Sequence, residues 1–326
     1  MADRGLVLRD RLVMEAVAVL YIVVAAQAHG WHYLFFPGLA ALSHDVLTRP
    51  MGKWAAQPGR LVITPVAGAA IGTVVTRTLP YGVLAILLVV TPCVLLLAAL
   101  KSNIAPAIAA GVLPLFLGVK SWLYPVSVAV SLLVLVAILL PWQKYCRRKY
   151  FDHRVAPADT DDVLESLPNA TTWVLPFFAF VTVMACCASA SGLRLILFPP
   201  LIVIAYEMFA HPATCPWARR PVALPAACVV TSGAGLVAAN LLGSAALAAG
   251  CAMVFGIITL RLLHLHMPPA LALGLLPLVI HAPNIKYPIS VAIGTTVLTL
   301  TFLLYRRWVT GQGRAGRRVP KMMRSA

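Results

Sequence analysis

The chain has 326 residues, of which 61% are hydrophobic and only 11% are charged. A soluble protein has about a quarter of its residues charged, so the composition excludes a water-soluble globular protein and predicts a polytopic membrane protein. The formal net charge of +16 would suit a nucleic-acid-binding protein, but the placement of the basic residues indicates a membrane topology instead, and we predict no nucleic-acid partner.

Apolar segments recur along the whole chain and predict an all-α membrane helix bundle. In chain order they are 12–30, 33–47, 61–79, 82–100, 103–119 and 123–141, followed by 173–192, 195–210, 222–242, 245–263, 267–281 and 287–305. The predicted organisation is a first membrane repeat at 1–141, a cytoplasmic linker at 142–172, a second membrane repeat at 173–305 and a basic cytoplasmic tail at 306–326. The linker is basic and then acidic, which is typical of a tether or a short interfacial helix.

The two halves of the chain are copies of each other. An offset of 163 aligns Pro106 with Pro269, Gly111 with Gly274, Pro114 with Pro277, Tyr124 with Tyr287 and Ser127 with Ser290, and an offset of 162 aligns Phe36-Pro37 with Phe198-Pro199. Duplicated apolar chains with interrupted spans are typical of secondary transporters. Each half has an even number of crossings whether its short segments span or re-enter, so we expect both halves to have the same orientation.

Basic residues are distributed unevenly between the two sides of the membrane. If the N-terminus is cytoplasmic, only four of the 26 Lys and Arg residues fall on the outer side, namely Arg77, Lys120, Arg194 and Lys286. The other 22 fall on the inner side, as the positive-inside rule requires. We therefore predict a multi-pass protein of the cell membrane with both termini in the cytoplasm, and with membrane lipids as partners.

Four of the apolar segments are too short to span and begin with proline. A transmembrane helix needs about 20 apolar residues, whereas 33–47, 103–119, 195–210 and 267–281 are shorter. Proline suits the first turn of a helix, so each segment is predicted to be a broken or re-entrant helix whose free N–H groups face an anion. The alternative is a proline kink in an ordinary span. The candidate substrate-binding residues are Pro37, Asn103, Pro106, Pro199, Pro200, His266, Pro268 and Pro269.

We expect the first residues of the four short segments to converge near the middle of the membrane, at interfaces within each half. Broken helices are tolerated only where protein or a cavity satisfies the freed backbone groups.

Two acidic residues lie in apolar segments at equivalent places. Asp45 and Glu207 are related by the offset of 162, and an acid inside the bilayer costs about 2.5 kcal/mol or more. They are either proton carriers or charge partners, Asp45 for Arg49 and Lys53, and Glu207 for Arg219 and Arg220. The second interpretation describes a structural clamp.

Other polar residues suggest further roles. Lys120 and Lys286 could attract anions or extend along the membrane surface. His266 could act as a proton-sensitive donor, but His264 and His266 lack a third ligand, so no metal or cofactor is predicted. The sequence contains no GxSxG, HExxH or P-loop motif, and we predict that the chain is not an enzyme.

The run LHLHMPPALALGLLPL, followed by Tyr-Pro-Ile-Ser-Val, resembles the HPP family of integral membrane proteins. The similarity covers about residues 195–305 and, through the duplication, about 33–141. Here Met267 stands between His266 and Pro268, and the first copy reads Asn-Ile-Ala-Pro at 103–106. The resemblance implies two HPP-type units in tandem, and it implies nitrite as a substrate because plant members are implicated in nitrite transport.

Together these features predict ATP-independent secondary transport of a small solute, with a small anion, nitrite-like or carboxylate, as the favoured substrate. One alternative is a non-transporting accessory or assembly subunit of an envelope complex, and another is a membrane enzyme acting on a lipid-linked substrate. The sequence leaves a homo-oligomer open. We expect the second half to carry most of the activity, because it retains His266 and both prolines of its motifs.

Overall fold

The computed structural model describes residues 8–28, 34–150, 171–212, 217, 220–280 and 282–316, and this part of the chain is helical without strands. In chain order the helices are α1 (Leu8–Gln27), α2 (Gly38–Thr48), α3 (Pro58–Thr78), α4 (Val83–Ala99), α5 (Pro106–Leu117), α6 (Leu123–Tyr150), α7 (Val174–Ser191), α8 (Pro199–Ala210), α9 (Ala223–Leu241), α10 (Ala245–Leu262), α11 (Pro268–Leu275) and α12 (Lys286–Gly316). Short 3₁₀ helices occupy Arg194–Leu197 and Leu276–Leu278. The predicted all-α bundle is confirmed.

Six of these helices, α3, α6, α7, α9, α10 and α12, are long and apolar enough to cross a membrane. Between a third and a half of each apolar stretch is buried inside the protein, and the rest of its surface is available to lipid. The chain is therefore a multi-pass membrane protein. Helix α1 is 20 residues long but carries Arg9, Asp10, Arg11 and Glu15, so its first half is polar.

The four short helices α2, α5, α8 and α11 form the centre of the bundle. Ten of the 11 residues of α2 are buried, as are 11 of the 12 in α8 and all eight in α11. Because the surrounding long helices shield these helices from lipid, their free backbone groups do not meet hydrocarbon, which is the condition for a broken helix in a membrane.

The duplication is visible in the closest helix contacts. A Cβ atom built on Gly72 of α3 would lie 1.7 Å from the carbonyl oxygen of Gly111 in α5, and one built on Gly235 of α9 would lie 1.8 Å from that of Gly274 in α11. Neither pair leaves room for a side chain, so the backbones of the two helices touch directly. The same helix crossing thus occurs in both halves.

The turns that lead into α5 and α11 are also built alike. Lys101 and His264, which are repeat-equivalent, both adopt positive φ, at 47° and 49°. After each turn a tryptophan indole N–H donates to a carbonyl oxygen: Trp54 to Asn103 at 2.8 Å, and Trp217 to His266 at 2.9 Å. These contacts fix where each short helix begins.

The short helices pack more extensively across the two halves than within them, although α2 also contacts α5 and α8 also contacts α11, so our expectation of interfaces within each half describes only the smaller contacts. Helix α2 of the first half packs against α11 of the second, and α8 of the second packs against α5 of the first. Helices α1 and α10 form a further contact between the halves, as do α7 and α4. We call this packing of short helices across the halves the exchanged pairing. Because the two halves have similar sequences, equivalent helices have equivalent apolar faces, and a short helix of one half can bury its apolar face against a short helix of the other.

Two helices extend beyond the predicted membrane segments. Helix α6 continues past residue 141 to Tyr150, and α12 continues past residue 305 to Gly316. In α6 the extension is held by Trp142, which donates to the Leu47 carbonyl at 2.9 Å, and by Gln143, which donates to those of Pro50 and Ala55. The predicted tether lies largely in 151–170, outside the described residues.

Candidate functional site

Cavities lie at both ends of the membrane-length helices. We call the end of the bundle that holds the start of α1 and the end of α10 the N-terminal face, and the other end the opposite face. Helix α10 has 18 residues, and at a rise of 1.5 Å per residue it separates the two faces by about 27 Å.

The basic cavity, of about 490 Å³, opens at the N-terminal face between α1, α2, α10 and the start of α11. Its polar lining residues are Arg11, Glu15, His44, Arg261, His264 and His266. The carboxylate of Glu15 is buried in the wall, where it accepts a hydrogen bond from Arg261 and lies 3.5 Å from Nε of Arg11. Two guanidinium groups thus face one carboxylate, which leaves the cavity with excess positive charge.

Asp45 joins the two halves behind this cavity. The side chain is fully buried, and its Oδ1 accepts a hydrogen bond at 3.1 Å from the guanidinium of Arg49. The same oxygen lies 2.9 Å from Nε2 of His266, 221 residues further along the chain. Asp45 therefore orients the imidazole that lines the cavity, and two predicted site residues from opposite halves meet here.

The equivalent place in the second half holds Glu207 and His211. Both side chains are buried, and Oε2 of Glu207 lies 3.5 Å from Nδ1 of His211, one helical turn further on. Arg220, which we predicted as a partner of Glu207, instead donates to the carbonyl of Leu263 at 3.0 Å. The predicted ion pair between an acid and an arginine therefore occurs at Asp45 and Arg49, whereas the hydrogen bond of Arg220 stabilises the turn before α11. Arg219 lies outside the described residues.

The Lys286 cavity, of about 380 Å³, opens at the opposite face. It is lined by Lys286, Arg194 and Asn284, by Pro199 at the start of α8 and by Leu276 beyond the end of α11. The guanidinium of Arg194 lies 4.9 Å from the centre of the Tyr81 ring, a cation–π contact that holds it beside the cavity.

The Lys120 cavity, of about 590 Å³, also opens at the opposite face. Lys120, Ser121 and Tyr124 supply its polar groups, and Phe36 lies at its wall. Tyr124 and Tyr287 line the Lys120 and Lys286 cavities respectively and are repeat-equivalent, so the two cavities occupy corresponding places. Both predicted lysines are exposed at these cavities.

The prolines that begin the short helices occupy two kinds of environment. Pro268 lines the basic cavity and Pro199 lines the Lys286 cavity, so α11 and α8 each begin at a cavity, one at each face. The positive end of the helix dipole suits an anion at both places. The remaining candidates, Pro37, Pro106, Pro200 and Pro269, are buried, and Asn103 contributes its carbonyl oxygen to Trp54.

Several residues of the basic cavity were missed by the sequence reasoning. Arg11, His44 and Arg261 lie in different helices, and only the fold brings them to Glu15. Glu15 also lies in an apolar segment, 12–30, but we did not select it as a site residue, although an ionisable residue there is a candidate functional residue by default. Among the described residues, no group of three or more His, Cys, Asp or Glu is placed to hold a metal ion.

No protein-family model, curated protein or solved structure matches this chain. The resemblance to the HPP family therefore stays a prediction that depends on the motif residues alone.

Proposed function

We propose that this protein transports a small anion across the membrane without ATP hydrolysis. The observation that carries the proposal is the position of α11 between two cavities that open at opposite faces. Its first residue, Pro268, lines the basic cavity, and Leu276, directly after its last residue, lines the Lys286 cavity. The eight residues of α11 span about 12 Å, so the barrier between the two cavities is much thinner than the bilayer.

The charges along this path favour an anion. Arg11 and Arg261 face the basic cavity, and Arg194 and Lys286 face the Lys286 cavity. Helix starts add their positive dipole ends at both cavities. Solute binding near the junction of duplicated halves, beside interrupted helices, is the arrangement that secondary transporters use.

The N-terminal face is the proposed cytoplasmic face, because the positive-inside rule places 22 of the 26 basic residues there. Nitrite is the first substrate to test, since the HPP-type motif at 266–269 implies it. Nitrate and small carboxylates carry the same charge in a similar volume and come next.

The test is a flux measurement with purified protein in liposomes. Nitrite, nitrate, formate and acetate are supplied outside, and their uptake is compared with that of protein-free liposomes. We expect uptake of at least one anion well above the protein-free rate, and competition among those that are transported. If none of the four enters and another protein co-purifies tightly, the chain is an accessory subunit instead.

A control variant separates specific transport from leakage. Replacing Arg261 by Gln removes a guanidinium from the basic cavity and the hydrogen bond to Glu15. Anion uptake should fall while the uptake of a neutral solute of similar size, such as urea, stays at the rate of protein-free liposomes. Equal leakage of anion and urea in both proteins would contradict a selective pathway.

A further inference from the structure

The two halves carry different bases beside their buried acids. The offset of 162 that aligns Asp45 with Glu207 also aligns Arg49 with His211. Each base lies four residues after its acid and contacts it, at 3.1 Å in the first half and 3.5 Å in the second. The geometry is thus repeated while the chemistry of the base has changed.

The first-half pair keeps its charges at every physiological pH. A guanidinium does not lose its proton in proteins, and Arg49 donates directly to Asp45. A permanent positive charge at this distance holds the carboxylate ionised. This guanidinium–carboxylate pair therefore stabilises the fold and orients the imidazole of His266, which contacts the same carboxylate oxygen.

The second-half pair can change its charge. Its base is an imidazole, which can hold or release a proton where a guanidinium cannot, and Glu207 and His211 are 5% and 8% exposed. One carboxyl oxygen of Glu207, Oε2, is buried without a hydrogen-bond partner. A buried pair of this kind favours the state with one bound proton, because that state has no net charge in an apolar surrounding.

The helices that pack on α8 bring few other ionisable groups to Glu207. Helices α5 and α11 contain none, and the cysteines of α7, Cys186 and Cys187, are exposed. Tyr206 precedes Glu207 on α8, and Tyr305 of α12 packs against Phe209, followed by Arg306 and Arg307. Among the described residues, the ionisable side chain recorded in contact with Glu207 is that of His211.

We propose that Glu207 and His211 form a proton-binding site that couples anion transport to a proton gradient, an inference that rests on the proposed transport function. The empty pair carries one negative charge, and the carboxylate of Glu207 takes one proton from water at one face, forming an O–H bond. The pair becomes neutral, and the same proton returns to water at the other face. One proton accompanies one monovalent anion, so the cycle moves no net charge and transfers no electrons.

The site is connected to the anion path through a single helix. Helix α8 begins at Pro199, which lines the Lys286 cavity, and Glu207 lies eight residues later. That is a distance of about 12 Å along the helix axis. A shift of α8 on proton binding therefore reaches the cavity directly.

The first experiment detects the proton without requiring transport. Infrared difference spectra of the purified protein are recorded at a series of pH values across the range in which the protein stays folded. We expect a protonated-carboxyl C=O band that disappears as the pH rises in the wild-type protein. The band should be absent in Glu207→Gln and retained in Asp45→Asn. A wild-type spectrum without such a band, or a band that persists in Glu207→Gln, overturns the proposal.

The matched variant is His211→Arg, which gives the second half the base that the first half has. A permanent guanidinium should hold Glu207 ionised, so the carboxyl band should vanish although the acid is still present. The stability of the folded variant can be followed by its thermal transition in detergent. A folded His211→Arg protein that keeps the band contradicts the role of His211.

The second experiment measures nitrite uptake into liposomes with and without an inward proton gradient. After the uptake by protein-free liposomes under the same gradient is subtracted, the ratio of the two rates should exceed one in the wild-type protein and fall to one in Glu207→Gln, whatever rate remains. If the wild-type uptake rate does not depend on the proton gradient, proton coupling is overturned and the proposed transport function is unaffected. Absence of wild-type uptake of nitrite, nitrate, formate and acetate overturns the transport function, and the infrared band then decides the proton site alone.

Discussion

In the first half the hydroxyl of Tyr124 donates to the carbonyl of Ala110 at 2.8 Å, and in the second half that of Tyr287 donates to Leu273 at 2.7 Å. At the ends of the neighbouring short helices the two halves differ in their basic residue, because Arg49 of the first half corresponds to His211 of the second. The two copies have kept the contacts that set helix distances and have changed the side chains that carry charge. Packing and proton chemistry thus depend on separate residues, and each can be tested without the other.

The largest effect is expected at the glycine contacts, and it should be equal in the two halves. Gly72→Ala and Gly235→Ala each place a Cβ less than 2 Å from a backbone carbonyl oxygen, which the neighbouring helix cannot avoid. Overpacking in a core costs about 1–3 kcal/mol and occasionally more. We expect both variants to lose most of their folded yield, as measured by size-exclusion chromatography in detergent.

Controls for this prediction lie on the same helices. A Cβ on Gly59 of α3 or on Gly233 of α9 would meet nothing within 4 Å. Gly59→Ala and Gly233→Ala should therefore give normal yields. If Gly235→Ala folds as well as Gly233→Ala, the close helix crossing is not needed.

The second prediction sharpens the difference in function between the halves. His266→Asn removes the contact with the buried carboxylate of Asp45, whereas Asn103 uses its backbone carbonyl, which Asn103→Ala retains. A hydrogen bond to a charged group contributes about 1.5–3 kcal/mol. The anion uptake rate should therefore fall about tenfold or more in His266→Asn and change little in Asn103→Ala, at equal expression. Equal losses would mean that both copies of the motif work.

The third prediction returns to a contact that both halves share. Tyr124→Phe and Tyr287→Phe each remove one buried hydroxyl that donates to a backbone carbonyl. The loss of such a hydrogen bond costs about 1 kcal/mol. Thermal transitions of the two variants in detergent should be lowered by the same few degrees. A large difference between them would show that the halves contribute unequally to stability.

The smallest effect is expected for an ion pair at the N-terminal face. Lys149 lies 2.8 Å from Asp10, and its side chain is 42% exposed. Exposed ion pairs contribute about 0–1 kcal/mol and are screened by salt. Lys149→Gln should leave the thermal transition almost unchanged, and any difference should disappear at high salt. A shift that persists in salt would indicate a structural role for the end of α6.

Hydropathy and repeats predicted most of this fold, since each apolar segment corresponds to a helix and each proline motif lies at the start of a short one. The partners of the short helices could not be predicted. In a duplicated sequence α11 and α5 have the same apolar pattern, so nothing in the pattern indicates which of them packs on α2. The contact between Arg261 and Glu15 depends on that exchanged pairing and was missed for the same reason.

The ends of helices were less predictable than their centres. Hydropathy falls where α6 leaves the apolar region after residue 141, but backbone hydrogen bonds continue to Tyr150 because water tolerates a polar helix. Charged partners were predictable only when they lay on the same helix turn, as with Asp45 and Arg49.

The contact of Asp45 with His266 also sets the order in which the protein can be assembled. The two residues are separated by 221 positions, and a ribosome adds about 5–20 residues per second. For about 10–45 s during synthesis, the first half lies in the bilayer with α2 lacking the helix that later covers it. Over that interval Arg49 is the partner that neutralises Asp45, so an intrahelical ion pair serves as a temporary substitute for the interface. The first half must therefore remain stably inserted in the bilayer until the second half has been synthesised.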